Sequence, residues 1–382
     1  MNPSLHPKKE QALTIGIIGG GLAGLICAIM LSKHGYRVTL IEKKQFPYQR
    51  VCGEYISNEV LPFFRSLGLD IEQFNPSHID RLALSSTSGK SMETGLQQGG
   101  FGLSRYVLDN YLYEKAKAEG VDFIFAKAND IAFGENQFTV ALSNGDTYHC
   151  GLAIAAYGKR SNLDQKLNRS FFYRRSPYMG VKYHIKTDLP GDLIRMDNFK
   201  GGYCGTCKIE NDLYNLCYLS ETKNLKTHGS IGEMEKMVLF KNPYLKQIFN
   251  NSEFIFEKPE VINEISFEQK SLVENHILFC GDAAGMITPL CGNGMAMAIH
   301  SGKILAQCII KSGDNLDPSQ RRKLENRYKE SWTFHFASRV KTGRIIQKLF
   351  LNFNLSNPAL IALQSSDFLT RRMIESTHGK PF

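Results

Sequence analysis

The clearest pattern in the chain is an uncharged stretch, residues 13–32, whose period changes partway along. Residues 13–18 form a short apolar run, Gly19, Gly21 and Gly24 follow at once, and residues 25–33 carry helical spacing, so the order is strand, turn, helix. Residues 37–41 make a second strand, which ends on Glu42 and Lys43. Residues 57–67 look helical, 80–100 alternate in short runs between Ser-Gly turns, and 104–119 form a helix stopped by Gly120. Strands are expected over 121–125 and 152–156, and 138–142 and 147–150 bracket the hairpin signal Asn144-Gly145. A strand over 178–185, a hairpin over 203–219, a helix over 231–249 and a strand over 260–267 come next. An apolar strand, 276–280, then delivers Gly281-Asp282, and an Ala-rich helix follows Gly294.

This alternation predicts an α/β protein: a Rossmann-type nucleotide-binding domain with an inserted antiparallel-sheet substrate domain and a C-terminal helical segment. The nucleotide domain is discontinuous, over 12–79, 101–165 and 270–315. The substrate domain takes 80–100 and 166–269, and the helical segment 316–382. A chain of 382 residues is too long for one small domain.

The glycine turn carries the first chemistry. Gly19 permits the tight turn, Gly21 leaves room for a pyrophosphate, and Gly24 lets helix and strand pack closely. The amides of Leu22 and Ala23, at the start of the helix, then meet phosphate at the positive end of the dipole. Glu42, about 20 positions on, suits both hydroxyls of a ribose and repels a 2′-phosphate, which favours FAD or NAD over NADP. The second glycine-bounded turn, Gly281-Asp282-Ala283-Ala284-Gly285 with Pro289 and Gly292-Asn293-Gly294, lies near the other end of the chain. Two such turns point to one large two-part cofactor, and FAD is the reading they favour.

Charge and cysteines narrow the class. The net charge is +9, and much of the excess falls among Arg321, Arg322, Lys323, Arg339, Lys341, Arg344 and Lys348, interleaved with Trp332, Phe336, Ile345 and Phe350. That is a basic amphipathic helix, which either covers the core with one solvated face or touches an anionic membrane surface or lipid-like substrate. No nucleic-acid recognition motif accompanies the charge. The uncharged stretch follows Lys8-Lys9 like a membrane or signal segment, but a glycine turn inside lipid would leave backbone groups unsatisfied, so a buried strand and helix is expected. Nine scattered cysteines, an odd number, fit a reduced, cytoplasmic protein, peripheral to the membrane if the basic helix docks there. Cys204 and Cys207 have redox-pair spacing on an expected strand, where packing is the plainer role. No metal site is expected.

Gly19-x-Gly21-x-x-Gly24 with Glu42, Arg50-Val51-Cys52-Gly53-Glu54, Arg105 with Asp109, and Gly281-Asp282-Ala283-Ala284-Gly285 with Pro289 and Gly292-x-Gly294 resemble the geranylgeranyl reductase family of flavoproteins, relatives of the aromatic-hydroxylase-type monooxygenases. The resemblance spans roughly residues 12–310, and Ser301-Gly302-Lys303 favours the reductase branch. It implies that Asp282 hydrogen-bonds the ribityl chain of FAD, that the helix opened by Gly292, Asn293 and Gly294 faces the flavin pyrimidine edge, and that Arg105 reaches the phosphates or ring edge. It also implies that the loop with Arg50 and Cys52 covers the flavin. Two departures stand out: Tyr157-Gly158 replaces the Asp-Gly of many relatives, and a hairpin around Tyr203 replaces an aromatic strand motif. The paired-tryptophan motif of flavin-dependent tryptophan halogenases is absent. The expected activity is FAD-dependent reduction of a double bond in a hydrophobic isoprenoid, polyketide or acyl substrate, with NAD(P)H as a candidate electron donor. Monooxygenation of an aromatic or polyketide-like compound is the alternative, and a flavin-binding protein without turnover a third. Cys52, Glu54 and Tyr203 are weak catalytic candidates, with Tyr55 and His184 behind them.

Overall fold

The computed structural model describes residues 13–174, 176–351 and 353–382; Lys8, Lys9 and the side chain of Pro289 lie outside the described residues. A six-stranded sheet runs in the order Val273–Glu274, Ile277–Phe279, Leu152–Ala155, Thr14–Ile18, Arg37–Glu42, Asp122–Phe125, parallel apart from the first pair. Its central strands are buried on both faces, which explains their unbroken apolar runs. The helix Leu22–Lys33 is buried from Leu22 through Leu31, so the uncharged stretch that mimics a membrane segment is interior strand and helix. Among the described residues no helix is long and apolar enough to cross a membrane.

A nine-stranded sheet forms the second layer, in the order Glu253–Phe254, Tyr178–Lys186, Tyr214–Glu221, Gly202–Lys208, Leu193–Phe199, Ser77–Ser85, Ser91–Gly102, Tyr55–Ser57, with Glu260–Ile262 also paired to Tyr178–Lys186. It is antiparallel except where Leu193–Phe199 runs parallel to Ser77–Ser85. A third sheet joins Ala128–Gly134, a strand absent from the sequence reading, to Gln137–Leu142 and Thr147–Cys150. The helices Gly294–Ser312, Pro318–Leu351, Phe353–Gln364 and Asp367–Glu375 complete the chain. Leu324, Tyr328, Trp332, Phe336 and Val340 recur every fourth residue and are buried against the main core, so the long basic helix covers that core with one face.

Three elements differ from their expected form. The helix over 231–249 is broken into Ile231–Met237 and Pro243–Asn251, because buried Asn242 donates to Ser85 Oγ at 2.8 Å and to Asn198 O at 3.0 Å while Pro243 starts the second helix. The strand over 260–267 stops at Ile262, ahead of Glu264 at φ +57°. The helix expected over 57–67 begins as strand Tyr55–Ser57, passes through the 3₁₀ turn Asn58–Val60 and turns α-helical only over Leu61–Ser66.

Candidate active site

Both glycine turns lie at the carboxyl edge of the six-stranded sheet, where open α/β sheets hold ligands. The Gly19 amide donates to Ile41 O at 2.8 Å, Ala156 N to Ile18 O at 2.8 Å and Cys280 N to Ala155 O at 3.0 Å, so four strand ends stand in one row. Gly281 has φ +59°, and a Cβ there would lie 2.8 Å from that of Ala23. A Cβ on Gly24 would lie 2.1 Å from Gly19 O, and one on Gly302 2.5 Å from Ala23 O. Gly302 lets the helices Leu22–Lys33 and Gly294–Ser312 converge, Gly281 lets the second turn approach the first helix, Gly24 lets that helix close on its own turn, and Ser301 Oγ accepts the Gly281 amide at 3.0 Å.

The helix start at Gly21 and that at Asn293 share a further property. Neither has a side-chain cap or an acidic residue in its first turn, and Gly294 faces open space, with no atom within 4 Å of a Cβ built there. Bare amides at two helix N-termini suit a cofactor with a pyrophosphate and a ring that becomes electron-rich on reduction. The residues present fit FAD. FAD, when bound, supplies the electron-pair transfer that no side chain can.

Around this edge the residues expected at the nucleotide end of the cofactor assemble as follows. Glu42 is buried at its strand end, where Oε2 accepts the Gly20 amide at 2.8 Å and Oε1 the Lys44 amide at 3.2 Å; Lys43 is exposed. Asp109, 1% exposed, binds Arg105 through two contacts of 2.7 Å and lies 2.8 Å from Arg50 Nε. Arg105 Nη2 is the nearest atom to the open side of Gly21, at 3.8 Å from a Cβ built there. Burial opposes the charge on Arg105, but Asp109 overcomes it and holds its pKa above the ordinary value. Arg50 also donates to Gly20 O at 3.1 Å.

At the end expected to hold the reactive ring, the Asp282 backbone carbonyl accepts Lys270 Nζ at 2.7 Å, and its carboxylate, which interacts electrostatically with Lys270, has no hydrogen-bond partner among the described residues, which would suit a ribityl hydroxyl. Arg169 braces the same turn, donating to Ala283 O at 3.0 Å and Ser271 O at 2.8 Å and pairing with Asp164 at 2.9 Å. Tyr157 donates to that Asp164 at 2.5 Å. Asp164 is fully buried between Tyr157, Arg169 and its own helix cap, and the capping box from Ser161 could have flagged it. Arg169, Lys182, Lys270 and Glu59 carry no local signal, because each acts on a distant partner.

The catalytic candidates separate. Cys52 is half-buried in the loop beside Arg105, with which it interacts. Glu54, at φ +54°, is engaged by Lys182 Nζ at 2.5 Å, His184 Nε2 at 2.7 Å and the Arg105 amide at 2.8 Å, so His184 belongs to its network. Tyr203 is buried with Tyr55, Ile194, Met196 and Cys207, and burial pushes its pKa well up. Cys204 and Cys207 belong to separate hydrophobic clusters on opposite faces of one strand, which rules out a mutual redox pair.

Two spaces adjoin the reactive end. An apolar cavity of about 60 Å³ lies among Tyr55, Leu96, Ile194, Met196, Gly292 and Ile374. A ring of Tyr55 fits there because Gly100 has no side chain: a Cβ would lie 2.4 Å from Tyr55 Cε2. A larger, more polar cleft of about 920 Å³ reaches Lys270, Thr288, Arg344, Gln347 and Lys348.

Residues 12–227 match the family described as FAD binding domain. The chain is 22% identical to conditioned medium factor receptor 1 of Dictyostelium discoideum over 99% of its length and 79% of the relative's. It is 25% identical to digeranylgeranylglycerophospholipid reductase of Methanococcus vannielii, over 89% of this chain and 88% of that one. Among solved structures, the flavin-dependent brominase Bmp2 superposes with a TM-score of 0.77 at 19% identity, over 96% of this chain and 94% of the brominase, which is a likeness of fold. The chain belongs to the FAD binding domain family, is geranylgeranyl reductase-like in sequence, and is an FAD-dependent oxidoreductase.

Proposed function

We propose that this oxidoreductase saturates a double bond in a hydrophobic isoprenoid, polyketide or acyl substrate. The observation that carries the reading is the apolar cavity of about 60 Å³ against Gly292, at the start of the helix expected to face the flavin, which has room for a few carbons at the reacting end of such a chain and not for the whole of it. Leu82, Leu96, Ile194, Met196 and Ile346 give it walls that recognise hydrocarbon and exclude water. Gly292, at φ +67°, and Gly294, which faces open space, would leave backbone rather than side chain at a ring edge bound there. The M. vannielii relative is named as a reductase, which supports the same reading.

Turnover without oxygen tests it. Chemically reduced protein, mixed anaerobically with a panel of unsaturated isoprenoid, enone and acyl probes, should reoxidise and yield the saturated product. Activity that requires oxygen, with labelled oxygen entering the product, would establish the monooxygenase alternative. NADH and NADPH, each tried as donor in the same assay, decide whether a nicotinamide nucleotide feeds the flavin. A peripheral membrane contact is supported by the exposed Phe334 and Ile345 on the basic helix Pro318–Leu351, and co-sedimentation with anionic vesicles checks it.

A further inference from the structure

Glu59 has no part in the chemistry above, yet it is one of the most heavily partnered side chains in the molecule. It sits in the turn Asn58–Val60 with its carboxylate fully buried. Arg339 Nη2 donates to Oε1 at 3.0 Å, the Gly379 amide donates to Oε2, and Asn293 Nδ2 approaches both oxygens, at 3.4 and 3.5 Å. Its backbone carbonyl accepts the Phe382 amide at 3.1 Å. Asn293 Nδ2 also donates to Thr377 O at 3.1 Å, and the Phe382 ring stacks on His300, within the helix that Asn293 opens, at 3.9 Å. Gly379 is required for this closeness: a Cβ there would lie 2.6 Å from Glu59 Oε2 and 2.7 Å from Arg339 Nη1.

One buried carboxylate therefore ties together the residue that opens the flavin-facing helix, the long helix Pro318–Leu351, and residues 377–382. A buried charge is tolerated only with its partners in place, so these contacts form or fail together. Thr377 and His378 also line the apolar cavity. We propose that Glu59 is a positioning residue that couples FAD binding to docking of residues 377–382: with that segment docked, Asn293 and the first amides of its helix are held where the flavin edge needs them. Because coupling is reciprocal, bound FAD in turn holds the segment down. The inference rests on the site of FAD and not on which reaction the flavin serves.

The full chain tests it without turnover. Hydrogen exchange at the Gly379 and Phe382 amides should slow when FAD is added to the apoprotein. Glu59→Gln should weaken FAD binding, followed by flavin fluorescence, about tenfold or more and abolish that slowing. Gly379→Ala touches no residue expected to hold the cofactor and displaces both its amide and Arg339 from Glu59, so it should weaken FAD binding in the same direction, and it decides the matter if Glu59→Gln does not fold. Exchange at Gly379 and Phe382 that ignores FAD, or a folded Gly379→Ala variant with the parent's affinity, overturns the coupling. A merely structural role for Glu59 would raise exchange across the fold equally with and without FAD.

Discussion

Glu54 Oε1 lies 2.5 Å from Lys182 Nζ, with both side chains fully excluded from water. The pair joins the loop carrying Cys52 to the strand Tyr178–Lys186 of the large sheet. Burial pushes the Glu54 pKa up, but Lys182 and His184 outweigh it and hold the carboxyl below its ordinary value. Lys182→Met strands a buried carboxylate and is expected to cost about 3–5 kcal/mol, read as a lower urea midpoint at neutral pH. Adding Glu54→Gln should restore part of the loss. With the folded pKa lowered, the pair's contribution is present above the unfolded pKa of Glu54 and is lost as pH falls through the folded one. The parent's advantage over Glu54→Gln should therefore vanish in acid.

Asp282 offers a carboxylate with no hydrogen-bond partner among the described residues, beside a braced backbone turn. Asp282→Ala should weaken FAD binding about 10- to 100-fold, the scale of a hydrogen bond to a charged group, with little change in the melting of the apoprotein. Titration by flavin fluorescence quenching measures the first and calorimetry the second. An unchanged FAD affinity would remove Asp282 from the site.

Gly24 and Gly302 are packing positions, where a methyl group meets backbone oxygen at 2.1 and 2.5 Å. Gly302→Ala should push the helices apart and lower both apoprotein stability and FAD affinity, by about 1–3 kcal/mol in stability. Thermal unfolding with and without FAD separates the two effects.

Lys270 is buried, and burial lowers its pKa to about 8 even though Asp282 and Asp164 partly offset it. The folded chain then binds fewer protons at this group than the unfolded chain between about pH 8 and the ordinary lysine pKa of 10.5, so stability should rise with pH across that window. Lys270→Met should flatten the rise in a series of denaturation midpoints.

Cys204 and Cys207 face opposite sides of their strand, and burial raises both thiol pKa values. Neither should react with a thiol reagent in the native protein, and Cys207→Ser should leave the reduction potential of bound flavin unchanged. A native disulfide between them, seen by mass spectrometry, would contradict this geometry.

The two glycine turns at the sheet edge were legible because their residues are contiguous and their backbone demands are local. Gly19, Gly21 and Gly24 are spaced by the needs of one strand-turn-helix, and Gly281-Asp282 follows directly from a strand end. The supports of that edge were not legible. Arg169, Lys182 and Glu59 contact residues about a hundred or more positions away, as in Lys182 with Glu54 and Arg169 with Ala283, and nothing in their neighbourhoods encodes such partners. Break points also escaped where a buried side chain overrode the local pattern, as Asn242 did in the helix over 231–249.

By itself the amino-acid order determined the strand-turn-helix units, the two glycine cradles and, with Glu42, the kind of cofactor, since turns, helix starts and strand periodicity depend on neighbours in the chain. Only the tertiary structure decided that Cys204 and Cys207 are parted by a sheet, that Asp164 is buried between Tyr157 and Arg169, and that Glu59 gathers Asn293, Arg339 and Gly379 around one buried charge. Those outcomes depend on which distant strands and helices pack together, because the cost of burying a charge or hydroxyl is met by whatever partner the fold brings within reach.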